Sequence, residues 1–329
     1  MATLTTSLPI TSEHLRPFDV GRDLSAVADL IEQCFAATLD ADGRRYLRQM
    51  RAAARSARFL RWASQVSERA ATPLSGYVWE EQGRVVGNLS LIPFHNRGRR
   101  IYLIANVAVE PAYRQRGIAR ALTRAALEDT ARRRAEAIWL QVRDDNPAAY
   151  QLYASLGFAE VCRRATWHSR PVSPPPPPAS IVIGAQQGRY WTQQQAWFAR
   201  AYPPELNWYH PLQLNSLRPG LWGFFHRLLN DIYLRQVSAA LDGKLVGLLT
   251  WQATHQFADA LWLSADPAYE AQAAQALLAH AVQRFGRRRP LALEYPAGQS
   301  AEAIQSAGFQ LHQTLIWMRR ANQSEPEVV

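Results

Sequence analysis

The sequence predicts an α/β (α+β) fold repeated in two tandem units, on three observations. At 329 residues the chain exceeds one ordinary domain and suits two of about 150, each large enough to bury a core. The segment PVSPPPPPAS, residues 171–180, forms neither a helix nor an inner strand, because proline lacks an amide donor and fixes φ near about −65°. In polyproline II form it would span ~31 Å, a semi-rigid spacer. Finally, PAYRQRGIARAL (111–122) returns as PAYEAQAAQALLA (267–279). Around it GRVVGNLSL (83–91) matches GKLVGLLTW (243–251), Arg132 to Arg134 match Arg287 to Arg289, and ASLGF (154–158) matches QSAGF (305–309). The order is kept while the offset falls from 160 to 151, as in a duplicated domain that has collected short deletions. The expected division is 1–170, a linker over 171–180, and 181–329.

The elements of the first copy follow in order. LRPF (15–18) reads as a short strand, and Leu24, Val27, Leu30 and Ile31 give Asp23–Phe35 helical spacing. A second helix is expected from about Asp42 into the fifties. GYVWEE, RVVGNLSLIPF and RIYLIANVAV are rich in β-branched and aromatic residues and separated by turn residues, which predicts an antiparallel meander. Ile118, Ala121, Leu122 and Ala125 restore helical spacing after Gly117. Residues 137–142 form a buried strand, Pro147 stands where a first helical turn tolerates it, and a closing strand lies near 159–168.

Composition narrows the function classes. No apolar run approaches the ~20 residues of a membrane span, and the opening MATLTTSLPITSEHLRP lacks the pattern of a secretory signal; a cytoplasmic protein without a membrane partner is expected. Cys34 and Cys162, the two cysteines, lack CxxC or CxxxH spacing, so buried free thiols are expected and neither a disulfide framework nor a metal site. The net charge of +10 is almost wholly arginine, Lys244 being the single lysine. Residues 1–180 hold 25 arginines against 17 acids, whereas residues 181–329 are nearly balanced. The first half therefore suits an anionic ligand; charge alone does not choose a cofactor phosphate over nucleic acid.

The chemistry concentrates where the strand over 101–109 passes through Glu110 and Pro111 into RQRGIA (114–119) and then a helix. A helix start offers unpaired amides and a partial positive charge, Gly117 admits a phosphate to the backbone, and Arg114 and Arg116 add formal charge. Each charge-assisted bond contributes ~1.5–3 kcal/mol. The second copy carries Glu270 for Arg114 and loses the glycine.

RQRGIA resembles the R/Q-x-x-G-x-G/A acetyl-CoA pyrophosphate loop of the GNAT superfamily of N-acetyltransferases, and NPAAYQLYASLGF (146–158) is similar to their N-x-x-A-x-x-L-Y-x-x-L-G-F segment. The resemblance covers about residues 14–168. It implies two tandem GNAT-like acyl-CoA N-acyltransferase folds, each a mixed, mostly antiparallel central sheet flanked by helices. It also implies acetyl-CoA as co-substrate, an amine acceptor, and no nucleic-acid partner. Val107, Ala108 and Val109 would align the pantetheine by backbone bonds, one amide serving as oxyanion donor. Arg114, Gln115, Arg116, Gly117, Ile118 and Ala119 would hold the pyrophosphate, Asn146 the cofactor arm, and Tyr153 would protonate the departing thiolate. A plain core tyrosine is the alternative for Tyr153.

WLQVRDDN also resembles the branch that acetylates the terminal alanine of a ribosomal protein, whose corresponding segment carries a glutamate base; here Gln141 stands in that place. An amide does not accept the amine's proton, and Asp144, Asp145, Glu80 and His95 are the remaining candidates. Without a strong base, an amine of depressed pKa is the expected acceptor. The second copy has Ile304 at the place of Tyr153 and no counterpart of Asn146, so a catalytically silent unit is expected. Its aromatic run RYWTQQQAWFARAYPPELNWYHP (189–211) reads as a cation cage or, with Trp197, Phe198, Ala201 and Tyr202 at helical spacing, as core. A non-catalytic CoA-binding sensor or scaffold is the alternative to an enzyme.

Overall fold

The computed structural model describes residues 13–66, 73–96, 98–170, 180–186, 188–209, 212, 214–217 and 233–321. The N-terminal opening through residue 12, the proline run up to residue 179, and His210 and Pro211 of the aromatic run lie outside the described residues. Two compact units emerge: one of Met1–Val161 with Trp317–Val329, the other of Cys162–Ile316.

The first unit opens with β1 (Leu15–Pro17) and α1 (Val20–Phe35). Asp19 caps α1 by accepting from the amides of Gly21 and Arg22 at 2.8 and 3.1 Å. Asp23, one turn in, is buried, and Arg16 grips it through two bonds of 2.6 and 2.8 Å. The apolar stripe of α1 packs with Leu47 and Met50 of α2 (Ala41–Ala54) and Val78 of β2 (Gly76–Glu81). A further helix, α3 (Ala57–Val66), is absent from the sequence expectation. Its signal is Ser56, whose hydroxyl accepts from the Phe59 amide at 3.2 Å, followed by the apolar Phe59, Leu60 and Ala63.

β2, β3 (Arg84–Asn96) and β4 (Arg99–Val109) form the expected antiparallel meander. After α4 (Ile118–Arg132), β5 (Ala137–Arg143) returns parallel to β4, and α5 (Pro147–Ala154) follows. Gly87 sets how closely α4 sits on β3: a Cβ there would stand 2.9 Å from Ile118 Cγ2.

The second unit repeats the plan. Its strands run β6 (Ala159–Ser169), β11 (Leu291–Pro296), β10 (Asp259–Ala265), β9 (Lys244–Gln252), β8 (Leu234–Leu241), β7 (Ile181–Ala185) across the sheet. All neighbours are antiparallel except β10 with β11. The helices described are α6 (Trp191–Ala201), the short α7 (Leu214–Leu217), α8 (Glu270–Phe285) and α9 (Ala301–Ser306). Gly247 plays the part of Gly87, its missing Cβ leaving room for Ala273 of α8.

The compact units cut across the expected boundary at the linker. Most of β6, which closes the first repeat along the chain, belongs to the second unit, where buried Arg164 bonds Glu294 at 3.0 Å and Trp167 joins the core. Conversely, β12 (Phe309–Ala321) ends in the first unit, with Trp317 buried edge-on to Trp139 at 6.2 Å. A strand's apolar alternation demands a sheet to join without specifying which copy provides it.

Candidate active site

In the first unit β4 carries a bulge. Asn88 opposes Ala108 and Ser90 opposes Ala105, so Asn106 and Val107 together face one residue of β3, with Asn106 at φ 51°. Side chains hold it: Asn88 Nδ2 donates to the Asn106 carbonyl at 2.9 Å, and Asn106 Nδ2 reaches both the Tyr46 hydroxyl and Ser90 Oγ at 3.3 Å. Burial pushes Tyr46 up to about 12, with the Asn106 bond working against it.

Just before the bulge the sheet opens. β4 and β5 pair only over Ile101–Ile104 with Ala137–Leu140, although the strands continue to Val109 and Arg143. Val107, Ala108 and Val109 therefore border a gap with Gln141, half-buried, at its apex. Strand backbone beside such a gap has amides and carbonyls for an extended ligand.

The chain then makes a 3-10 turn over Pro111–Tyr113 and enters α4 through two left-handed residues, Gln115 at φ 63° and Gly117 at φ 81°. No side chain caps α4, so its first amides keep their donor capacity. A cavity of about 270 Å³ lies against this turn, bounded by Val109, Arg114, Gln115, Gly117, Arg120 and Leu152 among others. Arg114 Nε donates to the Val109 carbonyl at 3.0 Å, where the Cys34 thiol also donates at 3.3 Å. Arg116 donates to the Ala112 carbonyl at 3.0 Å and lies 4.9 Å over the Tyr113 ring. Neither cysteine is in a disulfide, both are half-buried rather than buried, and burial raises the Cys34 thiol.

Of the residues singled out by sequence, Val109, Arg114, Gln115, Gly117, Ile118 and Ala119 line one cavity, together with Ala148 and Leu152 of α5. Val107 and Ala108 lie on the splayed strand, while Arg116 folds back onto its own turn. Asn146 is exposed and caps α5, its Oδ1 accepting from the Ala149 amide at 3.1 Å; its amide NH₂ remains available. Tyr153, further along α5, is 6 % exposed and edge-on to Phe158 at 6.0 Å. Its hydroxyl makes no hydrogen bond among the described residues, and burial raises it above the ordinary tyrosine value.

The base candidates separate. Glu80 is held by Arg16 and Arg22 and Asp145 by Arg143, and these guanidinium partners lower both carboxylates. His95 opposes Arg100, at the closed end of β4, roughly 17 Å of strand from the bulge at ~3.3 Å per residue. Asp144 is exposed in the turn after β5. Sequence reasoning missed Arg120, Leu152, Tyr46 and Asn106; the available signal was two asparagines, Asn88 and Asn106, inside otherwise apolar strands.

The second unit shows the same features closed. β10 and β11 pair only over Asp259–Leu261 with Leu291–Leu293, but β10 runs against β9 without a bulge. The Leu263 amide, at the place of Val107, donates to the hydroxyl of buried Tyr202 at 3.0 Å. Glu270, in the first turn of α8, is 9 % exposed and bonded by Arg200, the Tyr295 hydroxyl and Ser300. Phe198, Ala201 and Tyr202 are core, as one reading of the aromatic run held, with Trp197 half-buried.

Among the described residues no group of three His, Cys, Asp or Glu is placed to hold a metal, and no helix is long and apolar enough to cross a membrane. Residues 31–158 match the family described as Acetyltransferase (GNAT) family. The chain is 40% identical over 63 residues to the [ribosomal protein bS18]-alanine N-acetyltransferase of Escherichia coli, covering 19% of this chain and 43% of that protein. It is 40% identical over 67 residues to the N-alpha-acetyltransferase RimI of Mycobacterium tuberculosis, covering 20% and 40%. The chain thus spans about two-fifths of the length of the curated relatives it matches. Among solved structures, a GCN5-related N-acetyltransferase from Sphaerobacter thermophilus aligns over 95% of this chain and 98% of its own, with TM-score 0.60 at 16% identity, a likeness of fold. The glucosamine N-acetyltransferase region of a fungal multi-domain β-N-acetylglucosaminidase aligns over 93% of this chain and 38% of its own, with TM-score 0.58 at 13% identity. The unit that carries the bulge, the splay and the uncapped helix start belongs to the GNAT family of acetyltransferases.

Proposed function

We propose that the chain is an acetyl-CoA-dependent N-acetyltransferase whose chemistry lies in the first unit, the second being catalytically silent. The observation that carries this reading is the bulged, splayed β4 leading through Gln115 and Gly117 to an α4 with no acid in its first turn, where the matching helix of the second unit has Glu270 and its strand has no bulge. Acetyl-CoA enters as a substrate: the backbone of Val107 to Val109 aligns its extended arm, and the turn from Arg114 to Ala119 receives its pyrophosphate. Arg114, Arg116 and Arg120 supply positive charge around that turn, and the Asn146 amide remains free for the arm.

The amine nitrogen attacks the thioester carbonyl carbon while a backbone amide of the bulged strand stabilises the developing oxyanion. Collapse breaks the carbon–sulfur bond, the Tyr153 hydroxyl gives its proton to the leaving thiolate, and the proton that the attacking nitrogen sheds passes to solvent, from which the phenol is restored. At ordinary pKa values of ~10 and ~8.5 this transfer is uphill by ~2 kcal/mol. Burial raises the phenol, and the same dry surroundings destabilise the thiolate, so the two effects oppose each other.

With Gln141 at the apex and Glu80 and Asp145 committed to arginines, the amine arrives neutral. At pH 7 a lysine-like amine of pKa ~10.4 is about one part in 2,500 neutral and an α-amino group of ~7.7 about one part in six. That ~400-fold ratio amounts to ~3.5 kcal/mol. The acceptor we propose is therefore an α-amino group, an amino sugar or an arylamine; the names of the two curated relatives, an alanine and an N-alpha acetyltransferase, support the first. A screen of such amines with acetyl-CoA, read by release of free thiol, tests the proposal. Turnover is expected with at least one low-pKa amine; CoA binding without turnover on any amine class would leave the sensor reading in its place.

A further inference from the structure

The second unit has a cavity of about 550 Å³, twice the size of the one at the first unit's helix start and within the usual range for small-molecule sites. It lies at the opposite end of α8 from Glu270. Its walls are Tyr233 and Arg235 of the β8 side, Trp251 of β9 and Ala253 just after it, Asp259 of β10, and Arg284, Phe285 and Arg287 to Arg289. Trp251 stacks on Phe285 at 5.1 Å and 16°, and Tyr233 meets it edge-on at 5.7 Å. Among the described residues Trp251 Nε1 is an occluded donor with no acceptor.

The charges are not self-compensated. Asp259 is the one acid of the lining among the described residues, and Arg289 neutralises it at 3.5 Å while donating to the Thr254 and Gln256 carbonyls. Among the described residues Arg235, Arg284, Arg287 and Arg288 have no carboxylate partner; Arg235 bonds the Tyr233 hydroxyl at 3.0 Å. Burial and the Arg284 charge hold the nearby His280 imidazole below its ordinary value.

A bland account exists: arginines at a helix C-terminus complement its dipole, for about 0.3–1 kcal/mol each. The first unit shows what that looks like. There Arg132 and Arg133 pair with Asp129 at 3.6 and 3.0 Å, and Thr130 bonds back to its own helix. In the second copy the residues aligned with Glu128, Asp129 and Thr130 are Gln283, Arg284 and Phe285. Both acids are gone, a fourth arginine stands in place of one, and an aromatic ring stacks on Trp251 in place of a capped hydroxyl. Four cations around an aromatic wall exceed what one helix end requires, and charge-assisted bonds to an anion, at ~1.5–3 kcal/mol each, outweigh the adverse helix dipole.

We propose that this cavity binds a small polyanion bearing a flat aromatic ring, a nucleotide-like ligand whose phosphates meet Arg284, Arg287 and Arg288 and whose ring packs against Trp251 and Tyr233. The site is independent of acetyl transfer in the first unit. The test is calorimetric titration of the full-length Gly117→Glu chain, in which the first unit's helix start is closed to phosphates, with ATP, tripolyphosphate and adenosine and without CoA. ATP is expected to bind once per chain, at least tenfold more tightly than tripolyphosphate, with adenosine weaker still. Arg287→Glu with Arg288→Glu should weaken ATP at least 30-fold, and Trp251→Leu should erase the preference over tripolyphosphate. A second pair of variants, Arg287→Gln with Arg288→Gln, keeps the outcome readable if charge reversal impairs folding. No binding of ATP, equal affinity for ATP and tripolyphosphate, or binding indifferent to both arginine pairs would overturn the proposal.

Discussion

Val107 and Leu263 occupy matching places on β4 and β10, each on a strand that has just parted from its parallel neighbour. Next to Val107 the strand bulges through Asn106, no described side chain accepts from its amide, and the helix beyond has no acid in its first turn. Next to Leu263 the ladder is regular, the amide donates to Tyr202, and the helix beyond begins with a carboxylate held by three partners. One scaffold thus supports an open groove and a filled one, and the difference rests on a few side chains. The splay survives in both. A ligand groove is lost when the protein supplies its own hydrogen-bond partners to the groove's backbone.

The sharpest way to break that contrast is to give the first unit the second unit's charge. Gly117→Glu places a carboxylate at the helix start and forces a side chain into φ 81°, a conformation costing roughly 1–2 kcal/mol outside glycine. CoA binding to the wild-type chain is expected once per molecule by calorimetry and is expected to vanish in the variant. Two equivalent CoA sites in the wild type would refute the silent second unit.

Next in size is Tyr153→Phe, which removes the hydroxyl and keeps the ring against Phe158. Turnover should fall by roughly 10²–10⁴, the usual range for a positioned general acid, with acetyl-CoA affinity held within a few-fold. Unchanged turnover would make Tyr153 a core residue like Ile304, its buried counterpart.

Much of this contrast was legible in the letters. Arg114 against Glu270, the missing second glycine and Tyr153 against Ile304 are differences of residue type at aligned positions. The bulge was not legible, because Asn106 departs from the ladder only once Asn88, Ser90 and Tyr46 are brought beside it from other elements. Tyr202 read correctly as core, yet its hydroxyl acts on a backbone 61 residues away, a partnership that helical spacing does not encode. The exchange of β6 and the end of β12 was hidden for a related reason: both copies offer an apolar sheet edge.

In the second unit, Tyr202→Phe should destabilise the full chain by about 1–3 kcal/mol in chemical denaturation, the penalty for a buried amide left without its acceptor. It should not create a CoA site, since Glu270 still guards the helix start. A loss below about 0.5 kcal/mol would mean that the Leu263 amide finds another partner and that Tyr202 does not close the groove.

The smallest effect concerns Gln141 and is read from pH. If the acceptor must arrive neutral, kcat/KM for a low-pKa amine rises with pH and levels off near that amine's own pKa. On the other limb, Tyr153 must stay protonated to serve as acid. Burial raises its pKa above the ordinary ~10, so the proton is retained throughout the accessible range and no descending limb is expected below pH 10. Gln141→Glu places a carboxylate at the apex of the splay, where it can take the proton from an ammonium as it binds. The rising limb should then move to lower pH by about one unit, equivalent to ~1.4 kcal/mol, with the plateau little changed. A wild-type plateau well below the amine's pKa would instead assign the base to Asp144 or to an ordered water relay, and the preference for low-pKa amines would fall with it.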